Sequence, residues 1–337
     1  MFGLHRSYFT EEHELFRQSV RDFIAKEIIP NNAEWEKQKM VSRESWLKLG
    51  QNGFLGIQAP ESLGGMNIKD FRFNAVLIEE LGRSGCSGPA IGFPLHSDIV
   101  MPYILHYATV AAKAKYIPKM ITGEYIGAVA MTEPGAGSDL QGMRTTAVDQ
   151  GDHFLVNGSK TFITNGFLSD VVVVAVKTDP SKGAKGISLM LIDREMAGFT
   201  KGVPFEKVGL HAQDTCELFF EDVKVPKENL LGKPGEGFKY LMTELAQERL
   251  VVALAALGLA EFALQSTIDY VKQRKAFGKP ISEFQNTRFK LAEMAASCEQ
   301  GRIYCDYLVH LHNEGKLDSA MALSLIHISE PTRQAEI

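Results

Sequence analysis

No unbroken apolar run in the 337-residue sequence reaches the roughly 20 residues that a membrane-crossing helix needs. The longest, LVVALAALGLA at 250–260, is preceded by Glu248-Arg249 and followed by Glu261. Cysteine is scarce: Cys86, Cys216, Cys298 and Cys305 form no C-x-x-C pair, which argues against a zinc ribbon or a disulfide scaffold and for reduced, buried thiols. His310 and His312, two apart on a helix, point to different faces and are unsuited to hold a metal together. Neither sign of charge dominates. The net charge of -5 is mild, and Lys and Arg are scattered rather than gathered into a basic stripe, which speaks against a nucleic-acid partner. The N-terminus, MFGLHRSYFTEEHELF, runs into an amphipathic pattern without a signal peptide or an Arg-rich transit segment. The expected location is the bacterial cytoplasm, or the mitochondrial matrix for a processed eukaryotic chain.

With 45% hydrophobic and 23% charged residues, the composition is that of an ordinary globular chain, long enough for two or three domains. Three stretches differ in period. Up to about Thr122 the pattern is helical: Thr10 is a candidate cap, Leu15, Phe16, Val20, Phe23 and Ile24 share one face, and Pro30 follows the expected end. Further helices are expected around Trp46, Val76–Leu81, Ile99–Leu105 and Ala111–Met120. From Tyr125 to about Leu231, short β-branched runs such as VVVVAV (171–176) and ISLMLI (187–192) alternate with turn residues, and Asn157-Gly158 reads as a hairpin turn. From Gly237 onward two long helices, to about Lys272 and from Ser282 to about Asn313, imply a bundle. The fold class is therefore α+β: an N-terminal helical domain at 1–123, a small middle β-barrel domain at 124–232 and a helical bundle at 233–322.

Strands that do not alternate with helices exclude a doubly wound nucleotide fold. GAG at 135–137, within MTEPGAGSD (131–139), is thus no dinucleotide fingerprint. Gly135 and Gly137 would still let backbone N–H groups approach an anion or a flat ring where a Cβ would intrude, and a plain turn is an equal reading. Glu248 completes a stripe of Leu241, Leu245, Val252, Ala255 and Leu259 and so places a carboxylate in an apolar seam. Burial disfavours its charged form and would suit it to general-base work near neutral pH. A structural ion pair with a neighbouring helix is the competing reading.

Five ordered segments, MTEPGAGSD, SKTFITNG (159–166), FEDVKVPKENLLG (220–232), QERL (247–250) and QRKAFGKPISEFQ (273–285), resemble the acyl-CoA dehydrogenase family, with the long-chain type the most similar. The likeness runs from about Phe9 to Ala322. It implies FAD, with Val129, Met131, Thr132, Gly137 and Ser138 along the ring and ribityl side and Phe162 and Thr164 on its other edge. It implies that Arg274, Phe277 and Gln285 reach the FAD of a neighbouring subunit, and hence a homo-oligomer, a dimer of dimers. Ser138, Ala246, Gln247 and Arg249 fall on substrate-contacting positions, and Glu248 on the base of those members that carry it on this helix. The implied reaction converts a saturated acyl-CoA to a trans-2-enoyl-CoA within fatty acid β-oxidation, with an electron-transfer flavoprotein as acceptor. A branched short-chain substrate, an acyl-CoA oxidase or flavin monooxygenase of the same fold, and a non-catalytic acyl-CoA-binding protein are the alternatives.

The sequence departs from the family at its end. After Ala322 it reads LSLIHISEPTRQAEI, which resembles an in-frame translation of a transposon-based sequencing adapter. Residues 323–337 are expected to be a non-native tail, with the last helices of the bundle missing and the function above belonging to the parent enzyme.

Overall fold

The computed structural model describes residues 6–325. The described residues divide into two compact units. One takes the chain up to Pro30, Asp70–Ala90 and the part from Arg249 onward; the other takes Asn31–Lys69 and Ile91–Glu248. Of the stretch expected to be non-native, only Leu323–Leu325 lie among the described residues, at the end of a Ser319–Ser324 helix; the rest lies outside them.

The first unit is helical. Its Glu11–Phe23 helix starts at Thr10, whose backbone N–H donates to His13 Nδ1 at 3.1 Å. The expected apolar face is only partly the buried one. Val20, Phe23 and Ile24 are buried, but Leu15 is 65% exposed, while His13 and Arg17 turn inward. The reason is a set of buried carboxylates on the Arg72–Arg83 helix: Arg17 donates to Glu79 at 3.1 Å and to Glu80 at 2.8 Å. Glu79 is also met by Arg6 and Arg302, and these guanidinium groups hold its carboxyl far below the usual range against the pull of burial. A carboxylate in the interior dictates which face of a neighbour must carry cations. Pro30 does not end the helical path. A π-turn at Ile24–Ile28, closed by Ile29 N–H to Ile24 C=O, precedes a second helix, Ile29–Gln38, whose first turn tolerates the missing N–H of Pro30.

The long helix Gly237–Gln273 and the helix Gln285–Asn313 are joined by a Lys275–Ala276/Lys279–Pro280 hairpin, with Gly278 at φ 79°. The chain folds back so that Arg302 meets Glu261. The apolar stripe expected on the long helix is broader in fact: Leu250, Val251, Ala253, Leu254, Ala255 and Leu257 are buried, while Val252 is 42% exposed. In length and apolar content this helix would also pass for a membrane-crossing one, a test that buried core helices pass as well.

The second unit holds an eight-stranded sheet: β1 (Gly127–Ala130), β2 (Thr146–Asp149), β3 (His153–Thr164), β4 (Val171–Lys177), β5 (Ile187–Asp193), β6 (Phe199–Lys201), β7 (Thr215–Pro226) and β8 (Leu230–Leu231). The order is β6-β7-β3-β2-β4-β5-β8, with β1 parallel to β4. β4 and β5 are buried on both faces, which is why they read as continuous apolar runs. Asn157-Gly158 is not a hairpin turn. β3 continues through it as a bulge, where Asn157 and Asp222 exchange two hydrogen bonds of 2.9 and 3.0 Å. Gly158 is required there, because a Cβ would lie 2.5 Å from Thr145 Oγ1. The same unit holds most of Ile29–Gln38, the helices Arg43–Gln51, Met101–Tyr107 and Val110–Ile121, and the start of the long helix up to Glu248. His96 ties them to the sheet: it accepts from Gly127 N–H through Nδ1 and therefore donates through Nε2 to the Met120 carbonyl, both at 2.9 Å.

Candidate functional site

The MTEPGAGSD loop follows β1. Its conformation is fixed from below by Lys160 and Glu133. Lys160, fully buried on β3, donates to Glu133 Oε1 at 2.8 Å and to the Met131 carbonyl at 3.1 Å, and Glu133 accepts two further backbone N–H groups, from Arg144 and Thr145. Burial lowers the Lys160 pKa to about 8, with the Glu133 charge opposing it. Thr161 N–H bonds the Thr132 carbonyl at 2.9 Å, joining loop to strand. Ala136 turns inward and pairs back to Glu133, leaving Gly137 and Ser138 exposed and Val129, Met131 and Thr132 half-buried. A Cβ built on Gly135 or Gly137 meets no atom within 4 Å. The glycines thus face open space, the arrangement expected if a ligand and not the protein needs that room. Next to the loop, Phe162 is 67% exposed at φ 59°, with its ring 5.5 Å from that of Phe205. A large apolar ring held outward on a left-handed backbone is a costly feature for a fold with no use for it. Thr164 closes β3 opposite Thr215 and is half-buried. The donor set fits a flat cofactor: open backbone at the glycines, a hydroxyl at Ser138 and an aromatic face at Phe162.

Glu248 lies on the long helix and is buried at 8% exposure. Its Oε1 accepts from the hydroxyl of the buried Tyr103 at 2.5 Å. One turn earlier, Glu244 accepts from Tyr107 at 2.8 Å and pairs with His106 at 2.9 Å. Residues four apart on each helix meet four apart on the other, so two tyrosine–carboxylate rungs lie side by side. Burial, reinforced by the adjacent carboxylate, raises the pKa of Tyr103 far above its usual value and keeps it a neutral donor. Gln247, between the rungs, donates to the Asp98 carbonyl at 2.7 Å; Ala246 is half-buried.

These features sit in a chain whose residues 10–124, 128–223 and 235–330 match the N-terminal, middle and C-terminal domains of acyl-CoA dehydrogenase. The chain belongs to the acyl-CoA dehydrogenase family. It is 50% identical over 319 residues to the mitochondrial long-chain specific acyl-CoA dehydrogenase of Sus scrofa, an alignment spanning 94% of this chain and 74% of that one. It is also similar to the crystal structure of an acyl-CoA dehydrogenase from Geobacillus kaustophilus, with a TM-score of 0.90, 48% identity and coverage of 96% and 89% of the two chains. A glutaryl-CoA dehydrogenase from Mycobacterium smegmatis, solved in complex with FADH2, superposes with a TM-score of 0.87 at 27% identity, covering 96% and 82%. The third domain match runs past Ala322.

In this dehydrogenase the remaining site residues named from sequence lie in the other compact unit. Arg249 is half-buried, whereas Arg274, Phe277 and Gln285 are exposed around the 275–280 hairpin, Phe277 at 95% and φ 52°. Sequence reasoning missed Tyr103, Lys160 and Glu133 as the partners that fix Glu248 and the MTEPGAGSD loop. Glu133 and Lys160 lie inside MTEPGAGSD and SKTFITNG, but their pairing, like that of Tyr103 with Glu248, is a contact between residues distant in the chain.

Proposed function

We propose that this dehydrogenase oxidises saturated long-chain acyl-CoA to trans-2-enoyl-CoA, using FAD, with Glu248 as general base. The observation that carries the reading is a buried carboxylate fixed by a neutral hydroxyl donor, on a chain half-identical to a long-chain specific relative. FAD, when bound, accepts the hydride that leaves the substrate β-carbon. Val129, Met131, Thr132, Gly137 and Ser138 hold its ring and ribityl side, with Phe162 and Thr164 on the other edge. Glu248 takes the α-proton, and Ser138, Ala246, Gln247 and Arg249 orient the thioester. Arg274, Phe277 and Gln285 reach the FAD of a neighbouring subunit, so the working form is a homo-oligomer, and an electron-transfer flavoprotein is the acceptor. Segments 1–123, 124–232 and 233–322 are its three domains. The decisive experiment follows flavin bleaching with acyl-CoAs of increasing chain length. A rate maximum at long chains is expected; a maximum at a branched short chain, or no bleaching at all by FAD-loaded protein, overturns the reading.

A further inference from the structure

Two rungs cross the same pair of helices, yet only one ends on the proposed base. Tyr103 and Tyr107 are one turn apart on Met101–Tyr107; Glu248 and Glu244 are one turn apart on the long helix. The surroundings of the rungs differ. Glu244 is shared between Tyr107 and His106, which is 57% exposed, and Tyr107 stacks on Tyr240 with ring centroids 4.1 Å apart. Tyr103 is completely buried and gives its hydroxyl to Glu248 across 2.5 Å.

We propose that Tyr103 is the positioning residue of the dehydrogenation, holding the Glu248 carboxylate through Oε1 in the orientation that takes the substrate α-proton. The inference rests on the base assignment above and deepens it. A glutamate side chain has three rotatable bonds, and a base must be held to within a fraction of an ångström of the proton it removes. A hydrogen bond to one oxygen removes the rotation of the carboxylate plane. It also survives the reaction. The α-C–H bond breaks, an O–H bond forms on the Glu248 carboxylate, the electron pair of the C–H bond remains with the substrate, and the Tyr103 hydroxyl goes on donating to the Glu248 side chain. The phenol keeps its own proton throughout, as its raised pKa requires. Tyr103 is bonded to the base, and so it acts through Glu248.

The test uses the FAD-loaded enzyme and single-turnover flavin reduction by a saturating long-chain acyl-CoA, unlabelled or deuterated at the α-carbon. Y103F is expected to slow reduction about 10- to 100-fold, with acyl-CoA affinity unchanged, and to enlarge the α-deuterium isotope effect because proton abstraction alone is impaired. Y107F removes the matching hydroxyl from the neighbouring rung and is expected to reduce flavin at the normal rate. In an E248D background, where the carboxylate is withdrawn by one methylene and the Tyr103 contact is already lost, Y103F is expected to add no further loss. The proposal is overturned if Y103F reduces flavin normally, if Y107F is equally slow, if the isotope effect stays as in the unmodified enzyme, or if Y103F retains its full effect beside E248D. Normal flavin reduction by E248Q would instead defeat the base assignment itself, so the two failures are separable.

Discussion

Lys160 and Glu133 form an ion pair of 2.8 Å in which the lysine side chain has no exposed surface and the carboxylate side chain only 6%. The pair stands under the loop that presents Met131, Thr132, Gly137 and Ser138. Losing one partner would leave the other charge buried without compensation. Lys160→Met is expected to lower stability by about 3–5 kcal/mol and to weaken FAD binding, whereas the double variant with Glu133→Gln should recover part of the stability. Thermal unfolding of the apoprotein, alongside FAD titration, checks both. Equal stability of Lys160→Met and the unmodified protein would contradict the role given to the pair.

Gly137→Ala separates fold from cofactor. The added Cβ meets nothing within 4 Å, and Gly137 is not among the glycines with positive φ, so the apoprotein should unfold within about 0.5 kcal/mol of the parent. If the flavin lies against this backbone, the methyl group intrudes on it, and the FAD dissociation constant should rise at least about tenfold, a cost of roughly 1.4 kcal/mol. Unchanged FAD affinity would move the cofactor away from the loop.

Glu248→Gln keeps size and hydrogen-bonding capacity while removing the proton acceptor. Flavin reduction by substrate is expected to fall by at least about 10² to 10⁴-fold with FAD binding and thermal stability retained. Lowered stability with a near-normal reduction rate per folded molecule would point to a structural ion pair instead.

Asp214 and His96 give the fold opposing pH dependences. Burial raises the Asp214 carboxyl to about 7, partly offset by the Leu168 N–H it accepts at 2.8 Å. The fold therefore binds this proton more tightly than the unfolded chain, and stability from this group is complete below the ordinary carboxylate range and declines as pH rises toward 7, by about 1.4 kcal/mol per pH unit. Burial lowers His96 to about 4, so its contribution runs the other way: present above pH ~6.5 and lost as pH falls toward 4. Of this pair, Asp214→Asn keeps the histidine slope and loses the carboxyl's. The variant is expected to gain stability relative to the parent as pH rises from about 4 to 7, measured by urea unfolding across that range. A pH-independent difference between the two proteins would show that Asp214 does not titrate as described.

The sequence by itself determined the elements and the family. β-branched runs bounded by Gly and Asp became β4 and β5 within a few residues of the expected bounds, and the two long C-terminal helices likewise, because these patterns reflect local backbone preference and continuous burial. Glu248 was legible as a carboxylate in an apolar setting. Tertiary structure alone decided what each buried polar group meets. Tyr103 and Glu248 are 145 positions apart, Lys160 and Glu133 are 27 apart, and Arg17 and Glu79 are 62 apart. Periodicity identifies a face of an element but not the element it will face, so Leu15 and Val252 were assigned to the interior that Arg17 and Val251 occupy. The Asn157-Gly158 pair shows the same limit on a strand: its dipeptide favours a turn, and the register with β7, held by Asp222, turns it into a bulge. A dipeptide's local preference of at most a few kcal/mol yields to a strand whose ladder and buried face are fixed by partners far along the chain.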